Sequence, residues 1–377
     1  MNTTPLPEPT YITDRGSFYP MVDSLSQVEK LAVDTEANSL YAYRERVCLI
    51  QLSTPDRDYI VDPLTLDDLD PLGEIFNDPA VEKIFHASEF DLLILHADLG
   101  FQFQNLFDTM LAARILGWKK LGLDSLLEDI AGVQINKKYQ RADWGQRPLP
   151  EEMIRYAQKD THYLIQIRDA LAEQLRQSGR WAIAQEDFAR ACRVHTRPQK
   201  EKLPPCWQIH GSQNLSPRKA AILEKLCHYR DRVARKENQP LFKILGNKTL
   251  LALADAAPRT QRAFESLPIL SQPQVQRHKH GLWQAIQDGW RASPLLPPGR
   301  ERPNDDYLNR LHHLKAWRKR KARQVGVNSA VILPRYLLTA VAEENPGTKE
   351  ELEEILAEVP LRFAHYGDEI LAALSRN

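Results

Sequence analysis

The chain has 377 residues, of which 42 % are hydrophobic and 27 % charged, and its formal net charge is zero. This composition is typical of a globular protein with two or three domains. No stretch approaches the roughly 18 uncharged apolar residues that a membrane span needs. The amino-terminal sequence also lacks a basic region followed by an apolar run, so no secretory signal is expected. The four cysteines have no CxxC spacing, which predicts reduced thiols and a cytoplasmic protein.

The net charge of zero conceals an asymmetry between the two halves of the chain. Residues 1–200 contain 22 lysines and arginines against 31 acidic residues, a net charge of −9. Residues 201–377 have a net charge of +9. This division predicts one part that binds a polyanion and another that binds metal, although a solvated charged surface would have the same composition.

The first half of the chain alternates strand-like and helix-like runs. Four runs rich in β-branched residues predict strands: KLAVDTEA (30–37), VCLIQLST (47–54), DYIVD (58–62) and VEKIFHA (81–87). The first three are closely spaced, which favours an antiparallel meander. Helical patterns follow at 88–100, 107–117, 123–132 and, as one long helix, from Pro150 to Gly179. Strands followed mainly by helices indicate an α/β domain with a mixed sheet flanked by helices.

The second half is nearly all helical and contains an internal repeat. Residues 229–258 align without a gap on residues 317–346, and ten of the thirty positions are identical. Two tandem helical modules of about 80 residues each are therefore predicted.

Two proline-rich stretches, at 195–207 and 293–306, are predicted to be linkers because proline blocks helix propagation. The predicted domains are accordingly an α/β domain at 1–207, a first helical module at 208–293 and a second, divergent module at 300–377.

Asp34 and Glu36 are the first candidates for a functional site. They are two residues apart in a strand-like run, so both side chains leave the same face of the strand. Either acid alone would be a surface charge or a turn residue. Together, at the end of an apolar strand, they are a plausible pair of metal ligands.

Asp91, Tyr156 and Asp160 are the other candidates. Asp91 precedes the apolar run LLIL, where it could instead interact with a helix dipole, worth at most about 1 kcal/mol, or form a capping box with Ser88. Tyr156 and Asp160 lie four apart on one helix face. Alternatively, Tyr156 is a core aromatic residue and Asp160 pairs with Lys159 or a nearby arginine.

These carboxylates all lie in apolar sequence that is expected to be buried. An uncompensated buried charge is costly, so a divalent cation is expected to supply the missing positive charge. The pattern thus predicts a metal-dependent phosphodiesterase. Asp108 and Thr109 are expected to cap a helix, and His86 and His162 to be packing or supporting groups, because neither histidine has a partner at metal-ligand spacing.

The three acidic segments resemble the motifs of the DEDD 3′→5′ exonucleases, in the branch with Tyr-x3-Asp in the third motif. The similarity extends to VCLIQLST, FDTMLAARILG, the run RADW-x2-RPL at 141–149 and YA-x2-D-x2-YL at 156–164. The basic repeat LFKILGNKTLLALADAAP resembles the HRDC nucleic-acid-binding domain of RecQ-type helicases and ribonuclease D. The order of domains is that of the ribonuclease D family.

The resemblance implies a ribonuclease H-like α/β exonuclease domain followed by two all-α HRDC-like helical bundles. It implies two divalent ions, Mg²⁺ or Mn²⁺, held by Asp34, Glu36, Asp91 and Asp160, with Tyr156 orienting the attacking water. Asp34, Glu36 and Asp160 would hold the ion on the nucleophile side. Asp34 would also touch the second ion, which Asp91 would support through water.

The function that follows is a 3′→5′ exoribonuclease that releases 5′-mononucleotides from tRNA precursors and other structured RNAs with 3′ tails. No membrane and no obligate protein partner is expected. A 3′→5′ DNA exonuclease of the same chemistry is the alternative, and a non-catalytic nucleic-acid adaptor is a third hypothesis. No GxxxxGK[ST] loop accompanies the site, which favours a free-standing RNA trimming enzyme over a helicase-linked DNA nuclease.

Basic residues in three regions are candidates for RNA contacts. The run NKKYQRADW precedes the helix of the third motif and could steady a terminal nucleotide, or could be a solvated loop. The run KAWRKRKAR (315–323) has six positive charges in nine residues, with Trp317 expected to anchor one side of its helix. The candidate contacts are Lys137, Arg141, Arg230, Lys243, Arg318 and Arg320.

Overall fold

The computed structural model describes residues 6–193, 204–298 and 304–375. The chain forms two compact units. The first unit comprises the described parts of Met1–Ala37, Arg46–Arg197 and Pro303–Asn377. The second unit comprises the described parts of Asn38–Glu45 and Pro198–Arg302. Residues 195–203 and 299–303 of the predicted linkers lie outside the described residues, so the predicted domain boundaries stay predictions.

A six-stranded mixed sheet forms the centre of the α/β domain, in the order β1-β4-β3-β2-β5-β6. The strands are β1 (Thr10–Ile12), β2 (Lys30–Ala37), β3 (Val47–Ser53), β4 (Asp58–Val61), β5 (Glu82–Phe85) and β6 (Leu106–Asp108). β2, β3 and β4 form the predicted antiparallel meander, and β1, β5 and β6 pair in parallel with their neighbours. The mixed sheet is confirmed, whereas the three-residue strands β1 and β6 are too short for a sequence pattern to indicate them.

Eight helices and a π-helical turn at Leu127–Ala131 belong to this domain in the part of the chain that the structure describes. The helices are α1 (Arg15–Leu25), α2 (Asp70–Asn77), α3 (Glu89–Leu99), α4 (Thr109–Leu116), α5 (Leu123–Leu126), α6 (Glu151–His162), α7 (Leu164–Gln177) and α8 (Trp181–Ala191). One core lies between most of these helices and the sheet. A smaller one, which includes Leu49, Ile60 and Trp144, lies against α6.

The single long helix predicted from Pro150 to Gly179 is wrong. The helix breaks at Tyr163, whose backbone (φ −99°, ψ −3°) ends α6 before α7 begins. The two helices pack on different partners, α6 on β3 and β4 and α7 on α4. No proline or glycine lies at the break, so the sequence does not indicate it. Tertiary packing has overridden a continuous helical pattern here.

The helical modules confirm the internal repeat. The first contains α9 (Pro217–Glu237), α10 (Leu241–Ile244), α11 (Asn247–Ala256), α12 (Gln261–Glu265) and α13 (Gln272–Arg291). The second contains α14 (Asp305–Val325), α15 (Ser329–Ile332), α16 (Arg335–Glu344), α17 (Lys349–Ile355) and α18 (Pro360–Leu374). α14, α15 and α16 begin and end 88 residues after α9, α10 and α11, and each module has its own core.

In the first unit, the second module packs on the α/β domain through a buried cluster of charges. Arg362 is fully buried and its guanidinium group bonds to the carboxylate of Glu186, to Asp187 Oδ2 (2.8 Å) and to the carbonyl of Val331 (2.9 Å). The backbones also approach closely, because a Cβ atom added to Gly117 would lie 2.4 Å from the carbonyl oxygen of Gly326. The second module is thus bound to the α/β domain by specific contacts.

All four cysteines are free thiols, as predicted. No helix within the described ranges has the length and hydropathy to cross a membrane.

Candidate active site

β2 carries Asp34 and Glu36 at the centre of the sheet. In the antiparallel pair with β3, Asp34 lies opposite Gln51, and Glu36 opposite Leu49. Gln51 is fully buried, and neither its amide nitrogen nor its amide oxygen has a hydrogen-bond partner. A buried amide without partners costs about 1–3 kcal/mol. This polar side chain beside Asp34 was missed in the sequence, where it lies within the apolar run VCLIQLS.

Asp91 reaches the side of β2 that faces β5. The pairing of β2 with β5 ends at Ala32, so the later residues of β2 have a free edge on that side. The Thr35 hydroxyl donates to Asp91 Oδ1 at 2.5 Å. The predicted capping box with Ser88 is wrong, because the Ser88 hydroxyl donates to Asp108 instead (2.9 Å).

Asp108 holds the turn before α3 in place. Its carboxylate accepts from the backbone N–H groups of Ala87 and Ser88, at 3.2 and 2.8 Å, and from those of Met110 and Leu111 at the start of α4. The prediction that Asp108 caps a helix is confirmed. The same side chain fixes the turn from β5 to α3, and therefore the position of Asp91.

α6 is attached to the sheet by the buried Asp58 of β4. The Asp58 carboxylate contacts Gln158 Nε2 (2.6 Å), His162 Nδ1 (2.8 Å) and the Ser53 hydroxyl (2.6 Å). Burial alone would raise the pKa of Asp58, but these hydrogen bonds outweigh it and lower the pKa below its usual value. His162 is thus a supporting group, as predicted, and the contacts fix the helix that carries Tyr156 and Asp160.

The structure brings the five predicted site residues within electrostatic reach of one another. Burial, followed by the charges of Asp91, Asp160 and Glu36, raises the pKa of Asp34 well above its usual value. Burial and the neighbouring carboxylates raise the pKa of Glu36 to about 9. Burial raises the pKa of Asp91 and of Asp160 to about 7. The pKa of Tyr156 is raised as well, by burial and then by Asp160, so its phenol stays protonated at neutral pH.

The chemistry of these side chains fits a hard divalent cation. Carboxylate oxygens are the ligands that Mg²⁺ and Mn²⁺ prefer. No lysine or arginine pairs with any of the four acids in the described portion of the chain. Among residues 6–193, 204–298 and 304–375, however, no three His, Cys, Asp or Glu groups lie close enough together to hold an ion. Metal binding would therefore need these side chains to turn toward the ion.

A cavity of about 560 Å³ lies beside Tyr156 and Asp160. Its other lining residues include the basic Lys138, Arg155 and Lys159 and the acidic Glu151 and Glu152. Lys138 pairs with Glu152 at 3.1 Å and Arg155 with Glu151 at 3.9 Å, so the lining has mixed charge. Trp144, whose indole ring is buried, packs 6.1 Å from the ring of Tyr156. The cavity has the volume of a small-ligand site, which is about 300–1,000 Å³.

The six predicted RNA contacts have different environments. Lys137 is paired with Asp124 at 2.8 Å, and Arg141 and Arg320 are exposed. Arg230 is buried and donates to the carbonyl of Leu245 (3.0 Å), and Arg318 donates to the equivalent carbonyl in its own module (2.8 Å). Arg230 and Arg318 thus support the two modules, and we do not retain them as RNA contacts. Trp317 is buried, as predicted.

Comparison with known proteins matches successive parts of the chain to two family models. Residues 9–176 match a 3′-5′ exonuclease domain, and residues 219–286 and 308–374 each match an HRDC domain. The chain belongs to the ribonuclease D-like family of 3′–5′ exonucleases.

Curated relatives with this similarity are considerably longer. The chain is 37 % identical to the protein RRP6-like 2 of Arabidopsis thaliana over 284 residues, which are 71 % of this chain and 32 % of that protein. It is 32 % identical to the exosome complex exonuclease RRP6 of Saccharomyces cerevisiae over 298 residues, 75 % of this chain and 41 % of the yeast protein. The chain thus spans less than half the length of these two relatives.

Solved structures of ribonuclease D-like proteins share the fold. The catalytic core of RRP6 from Trypanosoma brucei superposes with a TM-score of 0.66 at 28 % identity, over 75 % of this chain and 79 % of that one. Ribonuclease D of Escherichia coli superposes with a TM-score of 0.71 over 94 % of this chain and all of its own. At 23 % identity the latter supports the fold alone.

Proposed function

We propose that this protein is a metal-dependent 3′→5′ exoribonuclease that removes 5′-mononucleotides from RNA 3′ ends. The observation that carries the proposal is the electrostatic interaction of Asp34, Glu36, Asp91 and Asp160, together with Tyr156, beside a cavity that Tyr156 and Asp160 line. Family membership supports the direction of attack, since the matching domain is a 3′-5′ exonuclease. The yeast relative is likewise named an exonuclease of the exosome complex.

In this proposal Asp34, Glu36, Asp91 and Asp160 hold two divalent ions, Mg²⁺ or Mn²⁺. Bound ions of this kind supply a nucleophilic water at neutral pH and stabilise the leaving 3′-oxygen. Tyr156 contributes a hydrogen bond that orients the attacking water. Because its phenol stays protonated, it acts as a positioning group and not as a base.

The cavity beside the site provides the room for the terminal nucleotide. Among its basic lining residues, Lys138 and Arg155 pair with Glu152 and Glu151, and Lys159 would contact the scissile phosphate. Trp144 and Tyr139 pack on the ring of Tyr156 and hold it in place. The run NKKYQRADW thus supports the tyrosine, and Lys137 and Arg141 remain candidate contacts to RNA.

The natural substrates that we propose are tRNA precursors and other structured RNAs with 3′ tails. A free-standing cytoplasmic enzyme without an obligate protein partner is proposed on the basis of the free thiols and the attached helical modules. Several relatives are named exosome components, so association with a larger RNA-degrading complex is the competing arrangement.

Hydrolysis of a single-stranded RNA with a labelled 5′ end tests the proposal. With Mn²⁺, we expect a ladder of products shortened one nucleotide at a time from the 3′ end, together with free 5′-mononucleotides. With chelator, no product is expected. Full activity in chelator, or products shortened from the 5′ end, would overturn the proposal. A matched DNA strand in competition decides the substrate, because strong preference for DNA would favour the DNA exonuclease.

A further inference from the structure

The middle of β3 carries a polar side chain on the sheet face that also carries Asp34. Gln51 lies directly opposite Asp34 in the antiparallel pair of β2 and β3. Residues that face each other across such a pair leave the same face, with Cβ atoms about 4.5–5.5 Å apart. The amide group of Gln51 is therefore close enough to reach the Asp34 carboxylate.

α6 covers this face of β3 on both sides of Gln51. Leu49, two residues before Gln51, packs in the smaller core against α6. Two residues after Gln51, the Ser53 hydroxyl contacts the Thr161 hydroxyl of α6 at 2.7 Å. Alternate residues of a strand share a face. Gln51 thus lies beneath the helix that carries Asp160, and it is fully buried there.

The amide of Gln51 has no hydrogen-bond partner among the residues that the structure describes, at either its nitrogen or its oxygen. Gln158 of α6 is equally buried, yet its amide nitrogen donates to Asp58 (2.6 Å) and to the carbonyl of Pro7 (2.8 Å). Buried polar side chains almost always have a partner. The Gln51 amide is therefore expected to gain one in another state of the site.

Asp34 is the acid to which this amide can donate. Asp91 already accepts a hydrogen bond from the Thr35 hydroxyl, whereas no side chain in the described ranges donates to Asp34. A carboxylate has about four lone-pair sites, so one that binds a cation can still accept a hydrogen bond. A neutral amide provides that bond without repelling the cation, as a lysine or arginine would.

We propose that Gln51 is a positioning residue whose amide nitrogen donates to the Asp34 carboxylate when a divalent cation binds, and so holds that carboxylate toward the ion. The inference rests on the proposed metal-dependent function, because it assumes a cation beside Asp34. Metal binding requires the site side chains to turn, and a donor already in place fixes one of them. In the metal-free protein the same amide stays unpaired, so Gln51 favours the metal-bound form.

Gln51→Met in the full chain tests the assignment, because methionine has a similar length and no amide. Calorimetric titration is expected to show an apparent Mn²⁺ affinity about 10- to 100-fold weaker than that of the wild type. In chelator, the Tm of the variant is expected to rise by about 1–4 °C, because no buried amide is left unpaired. A residue that only fills space would behave in the opposite way, with a lower Tm and an unchanged Mn²⁺ affinity.

Leu49→Met is the matched control, because it places the same side chain on the same face of β3, opposite Glu36. Its Mn²⁺ affinity is expected to equal that of the wild type, and its Tm in chelator should not rise. Mn²⁺ affinity in Gln51→Met equal to that of the control would overturn the proposal. A lower Tm of Gln51→Met in chelator would overturn it as well, because the amide would then already have a partner in the metal-free protein.

The wild type distinguishes failure of this inference from failure of the proposed function. If the wild type binds Mn²⁺ and hydrolyses RNA while Gln51→Met binds the ion equally well, only the role of Gln51 is wrong. If the wild type binds no Mn²⁺, metal dependence itself is wrong, and the role of Gln51 with it.

Discussion

Asp34→Asn is expected to lower kcat/KM for RNA hydrolysis by about 10³-fold or more while making the metal-free protein more stable. The loss of activity follows because Asp34 is proposed to touch both ions, which together contribute several kcal/mol of transition-state stabilisation. The gain in stability follows because burial and three neighbouring acids disfavour the charge on Asp34. An uncharged amide of similar size removes that repulsion.

The size of the stability effect depends on pH. The pKa values of these acids are raised in the folded protein, so the penalty is absent below the unfolded-state pKa of about 4 and grows as pH rises toward about 7 to 9. In chelator at pH 8.5, Asp34→Asn is expected to raise the free energy of unfolding by about 1–2 kcal/mol, and the difference should vanish only below about pH 4. Thermal unfolding of the two proteins at each pH measures this difference in the free energy of unfolding. Asp56→Asn, an exposed aspartate in the same domain, serves as control and should change neither activity nor stability.

Arg362→Ala is expected to destabilise the first unit by about 3–5 kcal/mol. Among the described residues, the substitution leaves Glu186 with no cationic partner. It also removes one of the two arginines that contact Asp187, the other being Arg190 at 3.0 Å. Breaking a buried ion pair on one side leaves an uncompensated buried charge. Amide hydrogen exchange in α8 and α18 is expected to become roughly 10²- to 10³-fold faster, since these helices carry the broken contacts.

The control for this prediction is Arg15→Ala. Arg15 and Asp67 form an ion pair at 3.4 Å, with both side chains mostly exposed. Pairs of this kind contribute about 0–1 kcal/mol, so exchange in α8 and α18 should be unchanged. If amide hydrogen exchange in α8 and α18 is equally fast in Arg362→Ala and in the control, this charge cluster does not hold the second module on the α/β domain.

The sequence indicated the sheet and the repeat because both leave strong patterns. The runs around β2 and β3 are apolar and β-branched, and the 88-residue repeat places α14, α15 and α16 at the expected positions. The break at Tyr163 left no such signal, because it depends on what α6 and α7 pack against. Arg230 and Arg318 were predicted to contact RNA because the sequence of a helix does not show whether the guanidinium group of a basic residue points inward.

The five candidate site residues stand out in the sequence because carboxylates in apolar runs are rarely buried without a partner. The residues that position them were harder to foresee. Gln51 shares a face of the sheet with Asp34 only through strand pairing, and Asp58 meets His162 across 104 residues of chain. Those contacts depend on register and topology, which a single sequence specifies only indirectly.

Calorimetric titration with Mn²⁺ in buffers of different ionisation enthalpy will show whether these acids bind divalent metal. At pH 7, Glu36 and, in part, Asp91 and Asp160 hold protons in the metal-free protein. Binding of Mn²⁺ is therefore expected to release about one to two protons per chain, and its apparent affinity should increase as pH rises from 6 to 9. Absence of Mn²⁺ binding, or binding without proton release at pH 7, would mean that these acids do not form the proposed metal site.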